Sequence, residues 1–379
     1  MRIRLKGFLQ LASMVIVTLI MFGNVQVASA STEIQNNREL QYGAWIGSWP
    51  TAQGLTDFQN LQQRHLDVVN MFIDWNTDFD HIKPNFDAIY ANNSIASLTW
   101  EAHGLSNADI RDGKKDNYIR QMAKDIKAYN KRMIIRLFHE ANGNWYAWAV
   151  GDSKINTNET YVAAFRHVVD IFRQEGAANV KWDFNVNASS VGQGASYLGH
   201  YPGDDYVDII SIDGYNWGTT QSWSSWQSFD QIFSQAYNAL KIKNKPMAIS
   251  EFSSAEKGGD KAKWYEDAFN NIRSEKYNLI NTVVCFNENK ETDWRINSSE
   301  SALEAFRKAI NLGKSSNVEP EVRLGDVNDD GSKDAMDYIA LQKYIMDSSN
   351  TINTKNADIN GDNRINTGDL FVLKKLILE

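Results

Sequence analysis

Seven carboxylates stand where apolar, strand-like runs of the sequence end: Asp74, Glu101, Glu140, Asp183, Asp213, Glu251 and Glu288. Large rings accompany them, namely Trp75, Trp100, Trp145, Tyr215 and Trp294. Carboxylates bind hydroxyl groups, and flat rings stack on the C–H faces of pyranoses, so this mixture suits a sugar. A phosphate would want Arg, Lys or backbone amides, and a metal-centred reaction would want His clusters. Cleaving a glycosidic bond needs two carboxyl groups, one to protonate the leaving oxygen and one to act at the anomeric carbon as base or nucleophile. The two best placed are Glu140, after the run IIRLFH, and Glu251, after MAIS. Taken alone, each could equally be a structural ion-pair partner, of Arg136 for instance.

A second chemistry is spaced along the C-terminal end. Asp326, Asn328, Asp330, Asp334 and Asp337 fall at positions 1, 3, 5, 9 and 12 of a loop. Asp358, Asn360, Asp362, Asn366 and Asp369 repeat the pattern 32 residues on, with Asn363 where the first loop has its turn glycine, Gly331. Oxygen-bearing side chains at this spacing wrap a hard cation, so two structural Ca2+ ions are expected. Asn tolerates positive φ, so the second loop should keep its ion. Each loop leads into an apolar helix, over 338–345 and 370–377. Residues 326–379 contain no Trp and carry a net charge of −4.

The elements that must position the first set of residues alternate. Strand-like runs lie at 42–48, 66–75, 95–100, 133–139, 180–187, 207–215, 246–252 and 282–286, and helix-period segments lie between most of them. The segment 116–129 carries Tyr118, Ile119, Met122, Ile126 and Tyr129 on one stripe. Segments 158–173, 227–242 and 260–272 behave similarly. Eight strands buried on both faces and separated by helices predict a (β/α)8 TIM barrel, followed by a small all-α calcium-binding module. Such a barrel gathers chemistry at the C-terminal ends of its strands. An open doubly wound sheet is the alternative, weakened because no strand is followed by a glycine-rich phosphate loop.

Composition limits what else the chain can be. It has 379 residues, 39 Lys+Arg against 47 Asp+Glu, and a formal charge of −8. A net acidic chain whose longest basic run is Lys114-Lys115 argues against nucleic-acid binding. The single Cys excludes an internal disulfide and a Cys-based metal site. Residues 1–30 begin with Arg2, Arg4 and Lys6, continue through a short apolar run and end in Ala28-Ser29-Ala30, as in a cleaved signal peptide. Loss of those three cations takes the charge from −8 to −11. The expected organisation is a signal peptide at 1–30, a barrel at 31–313, a polar linker at 314–324 and the calcium module at 325–379. The mature protein is expected to be secreted, free of the membrane and monomeric.

Longer motifs sharpen this reading. The stretch HEANGNWY at 139–146, with ISEF at 249–252, resembles family 26 of the glycoside hydrolases, which are retaining endo-glycanases on a (β/α)8 barrel. The resemblance runs from about residue 42 to 313. Within the family, NTNETY at 156–161, YLGHYPGD at 197–204, SIDGYNWG at 211–218 and ENKETDWR at 288–295 look like the clostridial lichenase type rather than the mannanases. The resemblance implies Glu140 as acid/base and Glu251 as nucleophile, with no cofactor for catalysis. It implies substrate contacts from His139, Tyr215, Trp294 and Arg295, and from Trp100 and Trp145, for which packing at the barrel rim is an equal reading. Trp45, Trp182 and Trp264 read as packing residues, and His200 as a loop residue. Cys285 stands where the lichenase type has Trp, which would alter the innermost sugar site, and His103 stands where it has an aromatic. The duplicated loop–helix units resemble the type I dockerin of cellulosomal enzymes, implying a cohesin partner. The leading expectation is an endo-β-glucanase on mixed-linkage β-1,3-1,4-glucan. An endo-β-1,4-mannanase of the same mechanism is the alternative, and a non-catalytic carbohydrate-binding subunit is the alternative of another class.

Overall fold

A computed structural model describes residues 40–312, 324–328, 332–350, 352–362 and 364–378. The expected signal peptide, nearly all of the linker, and Asp330, Gly331 and Asn363 lie outside the described residues.

Eight parallel strands close into one barrel: β1 (Gln41–Trp45), β2 (Val68–Asp74), β3 (Ile95–Glu101), β4 (Met133–Leu137), β5 (Val180–Asn187), β6 (Ile209–Asn216), β7 (Met247–Ser254) and β8 (Ile280–Phe286). Closure is direct, because β1 pairs with β8 from Gln41↔Thr282 to Trp45↔Phe286. That removes the open-sheet alternative. The outer faces of the strands carry apolar residues into a continuous core with the surrounding helices. Helix Asp116–Tyr129 buries Ile119, Met122, Ala123 and Ile126, one turn apart as the sequence stripe requires. Helices Asn158–Glu175 and Phe229–Leu240 open on side-chain caps, Thr157 with Thr160 and Ser228 with Gln231. Each cap of this kind contributes about 1 kcal/mol.

The barrel interior is polar in its middle. Asn70, Thr99, Arg136, Asp183, Asn185, Ser211 and Asp213 are all buried there and hydrogen-bonded to one another or to neighbours in the set. Two strand ends differ from expectation. β4 stops at Leu137 rather than His139, because Phe138 and Glu140 both turn to positive φ, 52° and 53°. Glu251 lies inside β7 rather than at its end, opposite Asp213, just past a register shift at Ile212/Asp213.

In the C-terminal segment, helices Ala335–Met346 and Thr367–Leu378 begin three residues before the expected apolar runs. Asp334 explains the first, since its carboxylate caps the amide of Met336 while Asp337 returns a bond to the amide of Asp334. A small core of Val327, Leu341, Ala357, Ile359 and Leu373 joins the two units.

Candidate active site

The left-handed turn after β4 is held at every carbonyl. Tyr161 and Trp148 donate to the carbonyls of Phe138 and His139, at 3.3 and 2.7 Å, and Gly143 and Val150 close on Glu140 and Ala141. Non-glycine residues at positive φ are uncommon and are kept there by such surroundings. The turn directs the Glu140 side chain into a cleft of about 710 Å³ at the C-terminal end of the barrel. Its amide N–H donates to Asn185 Oδ1 at 2.9 Å.

Two neutral groups hold the Glu140 carboxyl. Asn187 Nδ2 donates to Oε1 at 2.7 Å and Trp145 Nε1 donates to Oε2 at 2.9 Å. Asn187 is itself fixed by reciprocal bonds with Asn142, at 2.7 and 2.8 Å. Trp145 reaches Glu140 by folding over Gly143, where a Cβ would come within 2.5 Å of the indole. Burial, with a smaller contribution from the charge of Glu251, pushes the Glu140 carboxyl up to about 7. Among the described residues, no cationic side chain is bonded to it.

Glu251 lines the same cleft with opposite company. Arg136 Nη2 donates to Oε1 at 2.7 Å, and the Tyr215 hydroxyl donates to Oε2. Arg136 is fully buried and also donates to Asp213 at 2.7 Å and to Thr99. Burial works against its charge, but Asp213 and Glu251 outweigh it and hold the guanidinium protonated. Two carboxyl groups in one cleft thus have different environments, one neutral and one cationic.

The other expected residues divide. Trp145, Tyr215 and Trp294 line the cleft. Trp294 packs against Tyr215, with ring centroids 4.8 Å apart and planes tilted by 46°, and donates from Nε1 to Glu291 at 3.2 Å. Trp100 does not reach it: the ring is fully buried against Trp75, Tyr118 and Phe172. Its parity on β3 sends it outward, so packing accounts for it. His139 lies behind the cleft wall, bonded to Tyr146 at 3.0 Å, and burial lowers it well below the usual histidine range, so the ring is neutral. Arg295 turns away from the cleft and pairs with Asp293 at 2.7 Å. Asp183 and Asp213 lie deeper in the barrel, and Asp74 closes a turn through the amide of Asn76.

Some residues were read differently in sequence. Trp45 is a cleft residue rather than a packing one, its Nε1 donating to Glu288 at 2.8 Å. Trp182 and Trp264 are packing residues, as expected. Cys285 faces the outer helix layer beside Lys261 and Tyr265, and burial pushes its thiol up to about 12. The next residue, Phe286, lines the cleft, and Cys285 does not. His103 is exposed and pairs with Glu101 at 3.3 Å, and it is Glu101 that lines the cleft. His200 is on a loop, as expected, and is buried there against Tyr161 and Phe184. Phe72, Tyr146, Trp217 and Trp223 also line the cleft; Tyr146 and Trp217 lie within the motifs HEANGNWY and SIDGYNWG, whereas Phe72 and Trp223 carry no distinctive signal in sequence.

In the C-terminal loops, oxygens of the second repeat converge. Asp358 Oδ1 and Asn360 Oδ1 accept the same N–H, that of Asp362, at 3.1 and 2.9 Å. Asp369 draws the loop ends together by accepting from Ile359, Asn360 and Asn366, at 2.9 to 3.1 Å. Asp337 does the same for Asn328 and Asp334 in the first repeat. Among the described residues, no three acidic or imidazole side chains already form a metal-holding group. The converging Asp and Asn oxygens nonetheless fit a calcium ion, whose ligands are carboxylate and amide oxygens alike.

The model of glycosyl hydrolase family 26 matches residues 75–289, more than half of the chain. The chain belongs to glycosyl hydrolase family 26. Residues 324–378 match the model of the dockerin type I domain. Endoglucanase H of Acetivibrio thermocellus is 54% identical over 327 residues, which make up 86% of this chain and 36% of that relative. The chain therefore spans about a third of that relative's length. A mannan endo-1,4-beta-mannosidase of Bifidobacterium adolescentis is 32% identical over 85 residues, 22% of this chain and 8% of the relative. Among solved structures, a GH26 beta-mannanase from Bacteroides ovatus aligns with a TM-score of 0.55 at 17% identity, covering 74% of this chain and 92% of that one. At that identity the likeness is one of fold, and family 26 members share the barrel.

Proposed function

We propose that this family 26 chain is a secreted, cellulosome-docked endo-β-glucanase that hydrolyses mixed-linkage β-1,3-1,4-glucan with retention. The observation that carries the proposal is the contrast between two carboxyl groups in one cleft. Glu140 is held by an indole and an amide, with its carboxyl pushed up to about 7, so it can carry a proton at neutral pH. Glu251 is instead ion-paired with the buried guanidinium of Arg136, at 2.7 Å.

The roles follow from the chemistry. The Glu251 carboxylate attacks the anomeric carbon while Glu140 gives its proton to the departing oxygen, breaking the C–O bond. Glu140, now a carboxylate, takes a proton from water, and that water displaces Glu251 from the same carbon. A retaining pair of this kind sits about 5–5.5 Å apart. The donor sets on both groups consist of protein side chains, and none of these steps requires a cofactor. The 54% identity to a relative named an endoglucanase supports glucan over mannan.

The proposed organisation is a signal peptide at 1–30, a catalytic barrel at 31–313, a linker at 314–324 and a dockerin at 325–379. Asp326, Asn328, Asp330, Asp334 and Asp337 would hold one calcium, and Asp358, Asn360, Asp362, Asn366 and Asp369 a second. Each ion would offset the loop's negative charge and fix the docking helices against one another. A cohesin domain is the proposed partner and a monomer the proposed state.

Reducing-sugar release from barley β-glucan and from mannan tests the reading in one assay. Preferential release from β-glucan is expected. Preferential release from mannan would replace the substrate, and binding without release from both would replace catalysis with carbohydrate binding.

A further inference from the structure

One row of rings in the cleft extends beyond what the two carboxyl groups need. Tyr215, bonded to Glu251, lies 4.8 Å from Trp294. Trp294 lies 4.8 Å from Trp217, and Trp217 lies 5.3 Å from Trp223. All four line the same cleft, and burial falls steeply along the row, from Trp294 at 1% exposed to Trp223 at 71%.

Trp223 is not exposed because its loop is loose. Ser224 Oγ bonds the carbonyls of Gly218 and Gln221, at 2.8 and 3.2 Å. Asn216 Oδ1 receives the amides of Gly218 and Gln227, at 3.2 and 3.0 Å, and Thr219 bonds Lys257 at 2.9 Å. Trp226 anchors the far side, where a Cβ on Gly259 would come within 2.4 Å of its ring. An indole presented to water by an anchored loop contributes little to the fold and leaves apolar area uncovered. Gln227, lining the cleft just beyond, brings an amide suited to hydroxyl groups.

We infer that Trp217 and Trp223 form a distal sugar platform, on which pyranose units of the same glucan chain rest beyond those held at Glu140 and Glu251. The inference rests on the proposed glycanase reading for its occupant. The row is continuous: it begins at the hydroxyl that touches Glu251 and runs ring to ring out to solvent. A ring offers its electron-rich face to the C–H face of a pyranose regardless of linkage. The platform therefore adds grip in proportion to chain length rather than a choice between bonds.

The test uses the full chain. With Glu251→Ala as a non-hydrolysing background, binding of soluble β-glucan and mannan is compared with and without Trp223→Ala. In the hydrolysing protein, kcat and KM are compared on β-glucan and on a short aryl glucoside. Trp223→Ala should weaken polysaccharide binding about tenfold and raise KM more on the long substrate than on the short one. Equal losses on long and short substrates, or unchanged polysaccharide binding, would overturn the platform. Trp223-dependent binding by a chain that hydrolyses nothing would keep the platform while removing the glycanase reading.

Discussion

Arg136 reaches Glu251 from below, its Nη2 2.7 Å from Oε1, while its Nη1 holds Asp213 at the same distance. One buried cation thus serves two carboxylates, one in the cleft and one in the barrel interior. Removing it leaves both without their partner. Arg136→Met should destabilise the barrel by about 3–5 kcal/mol, the usual cost of uncompensated buried charge. Denaturant unfolding measures this. A change within a few tenths of a kcal/mol would mean that the ion pairs are not what keeps those carboxylates buried.

The two cleft glutamates should respond differently to truncation. Glu251→Ala is expected to lower turnover on polysaccharide about a thousandfold or more, and near-normal activity would remove it as nucleophile. Glu140→Ala should cost about 10²–10⁴-fold on polysaccharide but less on an aryl glycoside, whose leaving group needs little protonation. Equal losses on both substrates would count against an acid role.

Acidity sets a window for Glu140. The carboxyl sits at about 7 in the folded chain and at about 4.3 in an unfolded one. Its folded value is raised, so its stabilising contribution is full below the unfolded value and is lost as pH rises from there through the folded one. Activity that depends on the protonated acid should fall as pH rises through about 7. Glu140→Gln removes the titration, and its stability relative to the parent should improve by roughly 2–3 kcal/mol between pH 5 and pH 8. Paired denaturant curves at the two pH values measure this, and a difference that does not grow with pH would contradict the raised acidity.

Calcium should govern the C-terminal segment and spare the barrel. Chelation is expected to lower the melting temperature of the dockerin and abolish cohesin capture, leaving glucan hydrolysis unchanged. Asp369→Ala should do the same without a chelator, since that carboxylate also closes the second loop through three backbone amides. Cohesin capture that survives both treatments would contradict a metal-organised docking face. Calorimetry and a pull-down supply the two readouts.

Much of the barrel was legible because its signals are local. Apolar runs of strand length, helical stripes and cap residues lie within a few positions of one another, and all eight strands form close to where they were expected. Glu140 and Glu251 were legible through their motifs. What escaped was direction. Trp100 and Trp45 both sit at strand ends rich in aromatics, yet one enters the core and the other lines the cleft and bonds Glu288, just past the neighbouring β8. Adjacent residues on a strand point to opposite faces, so Phe286 lines the cleft while Cys285 beside it does not. The register shift before Asp213 adds a further displacement that no local pattern records. In sequence Arg136 is only a possible ion-pair partner, because its role depends on residues of three other strands, Thr99, Asp213 and Glu251.

The sole thiol, on β8 behind the cleft, makes the molecule its own unfolding clock. Cys285 is sealed against the helix layer and held as an unreactive thiol, so an alkylating reagent can reach it only when that layer parts from β8. Labelling therefore counts openings of the helix layer over β8, one modification per chain, on the face of that strand turned away from the cleft.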